Sequence, residues 1–250
     1  MKSMKEELML IYQELYDSFG PRKWWPGDTS FEVIVGAILT QNTSWANVEK
    51  AIDRLKKGEL LDPEGLYRIE EPMLAEAIRP SGYYNVKARR LKKFVDFLFE
   101  EYGGDLSLML SEDVEPLREK LLGINGIGPE TADSILLYAG GKLIFVVDAY
   151  TKRVFSRHNF VPVTTTYHEI QDLFMKNLPE DVELYNEYHA LIVYLGKNLC
   201  KRKPNCPDCP IFSPDFFRTH FHDSPFFIDQ NRFNSTRIFT TIPLPFLPLM

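Results

Sequence analysis

One aspartate, one glycine hairpin, three cysteines and three tryptophans are the residues of this chain whose types and spacing could do chemistry. Asp148 ends the apolar run "LIFVV" (Leu143 to Val147) and begins "AYTKRVFSR", a basic stretch at helical spacing. An Asp at a helix start most often caps it, and the helix dipole there favours negative charge. Beside a polyanionic ligand such a carboxylate is electrostatically unfavourable unless it serves a reaction. It could stabilise positive charge on a sugar, or orient a water that attacks it. Upstream lies "LREKLLGINGIGPETADSILLYA", which reads as helix, hairpin, helix. Gly126 and Gly128 permit positive φ and close backbone approach, and Pro129 suits a first helical position. The free N–H groups of such a turn form an anion site. A nucleic-acid phosphate fits there without its sequence being read, although a plain inter-helix turn would look the same.

Cys200, Cys206 and Cys209 are the only cysteines. An odd, clustered set argues against a disulfide framework and for metal or cluster ligation. Trp24, Trp25 and Trp45 all lie near one early helix. Each could be core, but together they could line a pocket for a cationic ring, which indole faces attract. "KARRLKK" (Lys87 to Lys93), "KRVFSRH" (Lys152 to His158) and "CKRKP" (Cys200 to Pro204) are basic, either as solvated helix faces or as patches for an anionic partner.

The elements that must position these residues are helices. Apolar residues recur at helical spacing along Leu8–Leu15 and Phe31–Leu39, the latter with Thr29 or Ser30 as cap. The same pattern covers Trp45–Lys57, Met73–Ile78, Asn85–Tyr102, Val114–Leu122, Pro129–Tyr138, Ala149–Arg157, Tyr167–Asn177 and Glu183–Leu199. "LIFVV" is the one β-branched run, too short to build a sheet alone. The fold class is therefore all-α. With 250 residues, 44% of them apolar and 26% charged, the chain makes one large domain or two small ones. Its net charge of −6 places any nucleic-acid contact in local patches and not in the whole. The N-terminus has acids inside its apolar stretch, so it reads as an amphipathic helix and not a signal peptide. With no membrane-length apolar run, a cytoplasmic location is the default. After Pro210 the composition changes: lysine is absent, and half of the 18 phenylalanines lie from Phe212 onward. Residues 210–250 are set aside as an atypical tail.

"INGIGPETADSILLYA", the following Asp148 and the C-x5-C-x2-C cluster resemble the helix-hairpin-helix DNA glycosylases of the endonuclease III type. "AILTQNTSWANVEKA" and "SGYYNVKARRLKKF" match the family's early and later loops, so the resemblance covers roughly residues 5 to 212. It implies two helical subdomains with a DNA-binding cleft between them: 1–24 with 140–209, and 25–139 carrying the helix-hairpin-helix at 115–138. It implies a monomer acting on double-stranded DNA, nucleoid-associated in a prokaryote, that flips a damaged base from the duplex. Asp148 takes the place of the catalytic carboxylate. Gln41 takes that of the residue filling the gap left by the base, and the Tyr83 loop that of the wedge. Lys87, Asn125, Gly126, Gly128, Thr131 and Lys152 complete the DNA-facing set.

Two departures select a branch. Where family members that also cut the strand carry a lysine, this chain has Glu130, which cannot form a Schiff base. That implies a monofunctional enzyme, with a water assisted by Asp148 doing the cleavage. "WWP" at Trp24–Pro26 resembles the 3-methyladenine glycosylase branch, so Trp24, Trp25 and Trp45 are expected to form a pocket for alkylated purines. The rivals are a mismatch adenine or thymine glycosylase, an oxidised-base glycosylase, and a non-catalytic DNA-structure-binding module. The family's [4Fe–4S] cluster uses four cysteines. Cys200, Cys206 and Cys209 match three, and Asp215 stands at the fourth place. Asp215, His220 or His222 as a non-thiolate ligand, a labile cluster, a vestigial site and zinc all remain open.

Overall fold

Side-chain caps set where most helices begin. Ser3 and Thr166 form reciprocal capping boxes with Glu6 and Glu169. Thr29, Asp62, Asp105, Asp148 and Asp181 each accept a hydrogen bond from a first-turn backbone N–H. The computed structural model describes residues 2–22 and 24–212. The tail from Ser213 onward, with Asp215, His220 and His222, lies outside the described residues.

Among the described residues there are twelve α-helices: α1 (Met4–Phe19), α2 (Ser30–Leu39), α3 (Trp45–Lys57), α4 (Pro63–Arg68), α5 (Glu71–Ala77), α6 (Tyr84–Tyr102), α7 (Leu106–Ser111), α8 (Val114–Gly123), α9 (Pro129–Ser134), α10 (Ala149–Arg157), α11 (Tyr167–Asn177) and α12 (Val182–Asn198). A π-helical turn, Ile135–Ala139, continues α9. No described residue is in a strand, and no described helix is long and apolar enough to cross a membrane. The all-α expectation holds, and α3, α10 and α11 have the bounds that their spacing predicts. The short helices α4 and α7 escape it, because six residues give periodicity too little to act on.

Helix α2 is the hub. Every residue from Phe31 to Leu39 is buried; all but Glu32, which pairs with Lys56 at 2.9 Å, are apolar or glycine. It packs against α3, α6, α9 and the π turn. Helix α1 lies on α11 and α12, and α10 lies on α12. Between the π turn and α10, Ile144–Val147 runs buried and without regular secondary structure. Phe145 stacks on Phe174 of α11 with ring centroids 4.0 Å apart, and both rings meet Tyr188 of α12 edge-on. A run that reads as a strand is thus a single buried strut, and Asp148 is at its end.

Candidate active site

The hairpin joins α8 to α9. Its turn closes with Ile127 N–H donating to the Ile124 carbonyl at 3.0 Å. Gly126 has φ +100°, and a Cβ there would lie 2.6 Å from Arg90 Cγ, so only glycine fits. Gly128 differs from expectation. Its φ of −96° is ordinary extended backbone and its Cβ position faces open space, so neither strain nor crowding demands glycine there. Gln41 Nε2 donates to the Gly126 carbonyl at 3.2 Å and to Thr131 Oγ1 at 2.9 Å, while Arg90 donates to Gln41 Oε1. Gln41 therefore rests locked to the hairpin. Asn125 is exposed at the turn and accepts from Lys93 Nζ at 3.0 Å.

Tyr83 caps α6 in the left-handed region (φ +46°) and is 72% exposed, a side chain presented outward. Lys87, expected to meet DNA, is turned inward. Its amine is buried and donates to the carbonyls of Leu39 at 2.9 Å and Ser81 at 2.6 Å, and burial lowers its pKa to about 8. It ties the end of α2 to the turn before Tyr83. The rest of that basic stretch is also engaged: Lys92 Nζ bonds the carbonyls of Leu66, Tyr67 and Ile69. Lys152 Nζ donates to the Thr165 carbonyl at 2.6 Å.

Asp148 caps α10 with one oxygen only. Oδ1 accepts from Thr151 N–H at 2.7 Å and from Thr151 Oγ1 at 2.9 Å. Oδ2 faces His189 of α12, whose Nε2 is 3.8 Å away. The other imidazole nitrogen, Nδ1, is hydrogen-bonded to the Tyr138 hydroxyl. Tyr138 lies 5.2 Å from Trp25 between ring centroids. Trp25 in turn meets Trp24 at 5.4 Å and Trp45 at 5.2 Å, both edge-on. Gly36 of α2 makes room for the indoles: a Cβ there would lie 3.2 Å from Trp25 Nε1 and 3.4 Å from Trp45 Cη2. The structure thus gathers all three tryptophans into a half-buried aromatic cluster that reaches Asp148 through Tyr138 and His189. Sequence reasoning missed those last two. Their only signals were a tyrosine one turn beyond the hairpin helix and a lone histidine in an apolar helix.

Glu130 is at the same corner. Its carboxyl is pushed up to about 7, first by surrounding protein atoms and then by the charge of Asp148, although the residue as a whole is exposed. The hairpin helix, a carboxylate with one oxygen outside its cap and an aromatic cluster thus meet at one corner. The model of the "HhH-GPD superfamily base excision DNA repair protein" matches residues 35–180. The chain belongs to the HhH-GPD superfamily.

Its relatives agree. The chain is 51% identical over 213 residues to the Methanocaldococcus jannaschii protein named "Putative DNA repair glycosylase MJ1434", covering 84% of this chain and 97% of that one. It resembles the Helicobacter pylori 3-methyladenine DNA glycosylase MagIII bound to 1,N6-ethenoadenine, with TM-score 0.67, 30% identity, and 78% and 98% of the two chains covered. It also resembles a trapped endonuclease III–DNA covalent intermediate, with TM-score 0.72, 25% identity, and coverage of 84% and 94%. The all-α helix-hairpin-helix architecture and a DNA glycosylase of the base excision repair family follow from the family match and these likenesses.

Within this HhH-GPD chain a second unexpected group holds the corner in place. Asp133 of α9 is fully buried and takes both prongs of Arg118 of α8, at 2.6 and 3.1 Å. It also accepts from Tyr167 Oη at 2.6 Å and Gln171 Nε2 at 2.7 Å, both of α11. Gln171 Nε2 reaches on to the Phe145 carbonyl at 2.7 Å. The hairpin and the strut that carries Asp148 are therefore fastened to one carboxylate.

The arginines of "KRVFSRH" serve the cysteine loop and not an open patch. Arg153 bonds the carbonyls of Gly196 and Cys200, each at 2.8 Å, and Arg157 bonds the Lys201 carbonyl at 2.6 Å and Cys200 Sγ at 3.3 Å. Cys200 is buried. Burial, with a smaller contribution from the neighbouring sulfurs, pushes the Cys206 and Cys209 thiols up, Cys209 to about 11. Arg157 donates to Cys200 Sγ, while the upward shifts at Cys206 and Cys209 favour the thiol over the thiolate. Among the described residues, no three side chains are assembled to hold a metal ion.

Proposed function

We propose that this protein is a monofunctional DNA glycosylase that hydrolyses the N-glycosidic bond of alkylated purines flipped from double-stranded DNA, acting as a monomer. The observation that carries this reading is Glu130, a carboxyl where an amine nucleophile would have to be, beside an Asp148 whose Oδ2 is uncommitted. As the C1′–N bond breaks, its electron pair leaves with the base, and positive charge grows on the sugar. Asp148 stabilises that charge at Oδ2 while Thr151 holds Oδ1. Water then adds to C1′ and surrenders its proton. The subdomain boundaries near residues 24 and 139 belong to the same reading. So do DNA-facing roles for Gln41, Tyr83, Asn125, Gly126, Gly128, Thr131 and Lys152. Gln41 must leave Thr131 and Gly126 to enter the duplex. Cys200, Cys206 and Cys209 would supply three thiolates to a [4Fe–4S] cluster, and the chain has no fourth cysteine.

The lyase question has a direct test. Borohydride should trap no covalent DNA adduct, and the abasic product should persist until alkali cuts it. Glu130→Lys should gain trapping, because it restores an amine at that place. Efficient trapping by the unsubstituted protein would refute the monofunctional reading.

The choice of alkylated purine rests on the tryptophans, supported by MagIII being a 3-methyladenine glycosylase. Trp24→Ala or Trp25→Ala should slow release of 3-methyladenine about 5- to 150-fold, the loss of roughly 1–3 kcal/mol of stacking. DNA affinity should hold nearly constant. A purely packing role would instead cost about 3–5 kcal/mol of folding stability. Both melting and base release are therefore measured. Release of mismatched adenine, mismatched thymine or thymine glycol in preference to 3-methyladenine would move the substrate assignment.

Purified anaerobically, the protein should carry the broad visible absorbance of an iron–sulfur cluster at less than full iron content, and Asp215→Cys should raise the iron. A colourless, fully folded and active protein would refute cluster dependence.

A further inference from the structure

We propose that His189, oriented by Tyr138, completes with Asp148 the seat of the attacking water; this rests on the hydrolytic reading above. His189 is 5% exposed and projects from the middle of α12 into the corner. Its Nδ1 meets the Tyr138 hydroxyl. Burial, then the charges of Asp148 and Glu130, hold Tyr138 well above the ordinary phenol range, so the hydroxyl keeps a proton that it can donate. With the hydroxyl donating, Nδ1 is the acceptor, and a neutral imidazole then carries its one N–H on Nε2. Burial pushes the His189 pKa down, with Asp148 opposing, which favours that neutral form.

The Nε2–H has no hydrogen-bond partner. It is 3.8 Å from Asp148 Oδ2, beyond direct hydrogen-bond reach, and Oδ1 is already held by Thr151. Buried donors without partners are rare and call for an explanation. Two uncommitted groups, a donor and an acceptor, face one another 3.8 Å apart at a corner closed to solvent, and a water admitted there with the substrate would bridge them. That water accepts from Nε2–H and donates to Oδ2, which leaves its second lone pair for C1′. The C1′–N bond breaks with its electron pair on the base, the water oxygen bonds C1′, and the water's proton passes to Oδ2. The imidazole stays neutral throughout. His189 is thus a positioning residue.

The test compares single-turnover base release, melting temperature and affinity for duplex DNA in His189→Leu, His189→Gln and Tyr138→Phe. Leucine keeps apolar volume without a donor. Glutamine places an N–H near the lost Nε2–H. His189→Leu is expected to slow base release on the order of 10²-fold, with affinity changed less than about threefold. His189→Gln should recover to within about tenfold of the unsubstituted rate, and Tyr138→Phe should fall between, since its imidazole can take either tautomer. A His189→Leu protein with undiminished release overturns the proposal. So does a His189→Gln protein as slow as His189→Leu with melting lowered equally, which would make the residue packing. Borohydride trapping of the unsubstituted protein is a separate result: it removes the hydrolytic reading, and the need for a water seat with it.

Discussion

Asp148→Asn is expected to bind DNA and to lose base release by on the order of 10³-fold. The substitution is selective because the two carboxylate oxygens have separate duties. Oδ1 caps α10 through Thr151 at 2.7 and 2.9 Å, and an asparagine carbonyl caps a helix about as well. Oδ2 faces the reaction corner, and there asparagine puts a neutral amide where negative charge must meet the sugar cation. Folding stability should therefore change by no more than about 0.5 kcal/mol, while base release falls. Single-turnover release from alkylated duplex DNA, together with a binding isotherm, measures both. Release at the unsubstituted rate would remove Asp148 from the reaction. It would leave the non-catalytic DNA-binding module as the better account.

Asp133→Ala should be the most destabilising single substitution near the site, by about 3–5 kcal/mol. It strands Arg118 without a counter-charge in a mostly buried place and leaves Tyr167 and Gln171 without their shared acceptor. For a chain of this size that corresponds to a fall in melting temperature of roughly 6–20 °C. Asp133→Asn keeps an acceptor and should fall less. Because Gln171 also holds the Phe145 carbonyl, base release at a temperature where both proteins are folded should drop as well. An Asp133→Ala protein with unchanged melting would mean that Arg118 and Tyr167 find other partners, and that the network does not hold the strut.

What the sequence determined by itself was whatever a few neighbouring residues decide. Helix starts at Thr29, Asp148 and Thr166 follow from side chains that bond backbone three residues on. Gly126 in its hairpin is likewise local, and local interactions need no knowledge of the fold. The tertiary structure decided where long polar side chains end up. Lys87 reads as a surface cation, yet it bonds Leu39, 48 residues away. Arg153 reads as part of a basic face, yet it holds Cys200, 47 residues on. Tyr138 and His189, 51 residues apart, meet beside Asp148, and Asp133 gathers partners from α8 and α11. A buried donor or charge must find a partner, and which one it finds depends on which distant backbone the packed helices bring within about 3 Å. Periodicity and capping carry no such information, so the sequence placed the carboxylate of this site and only the fold supplied its surroundings.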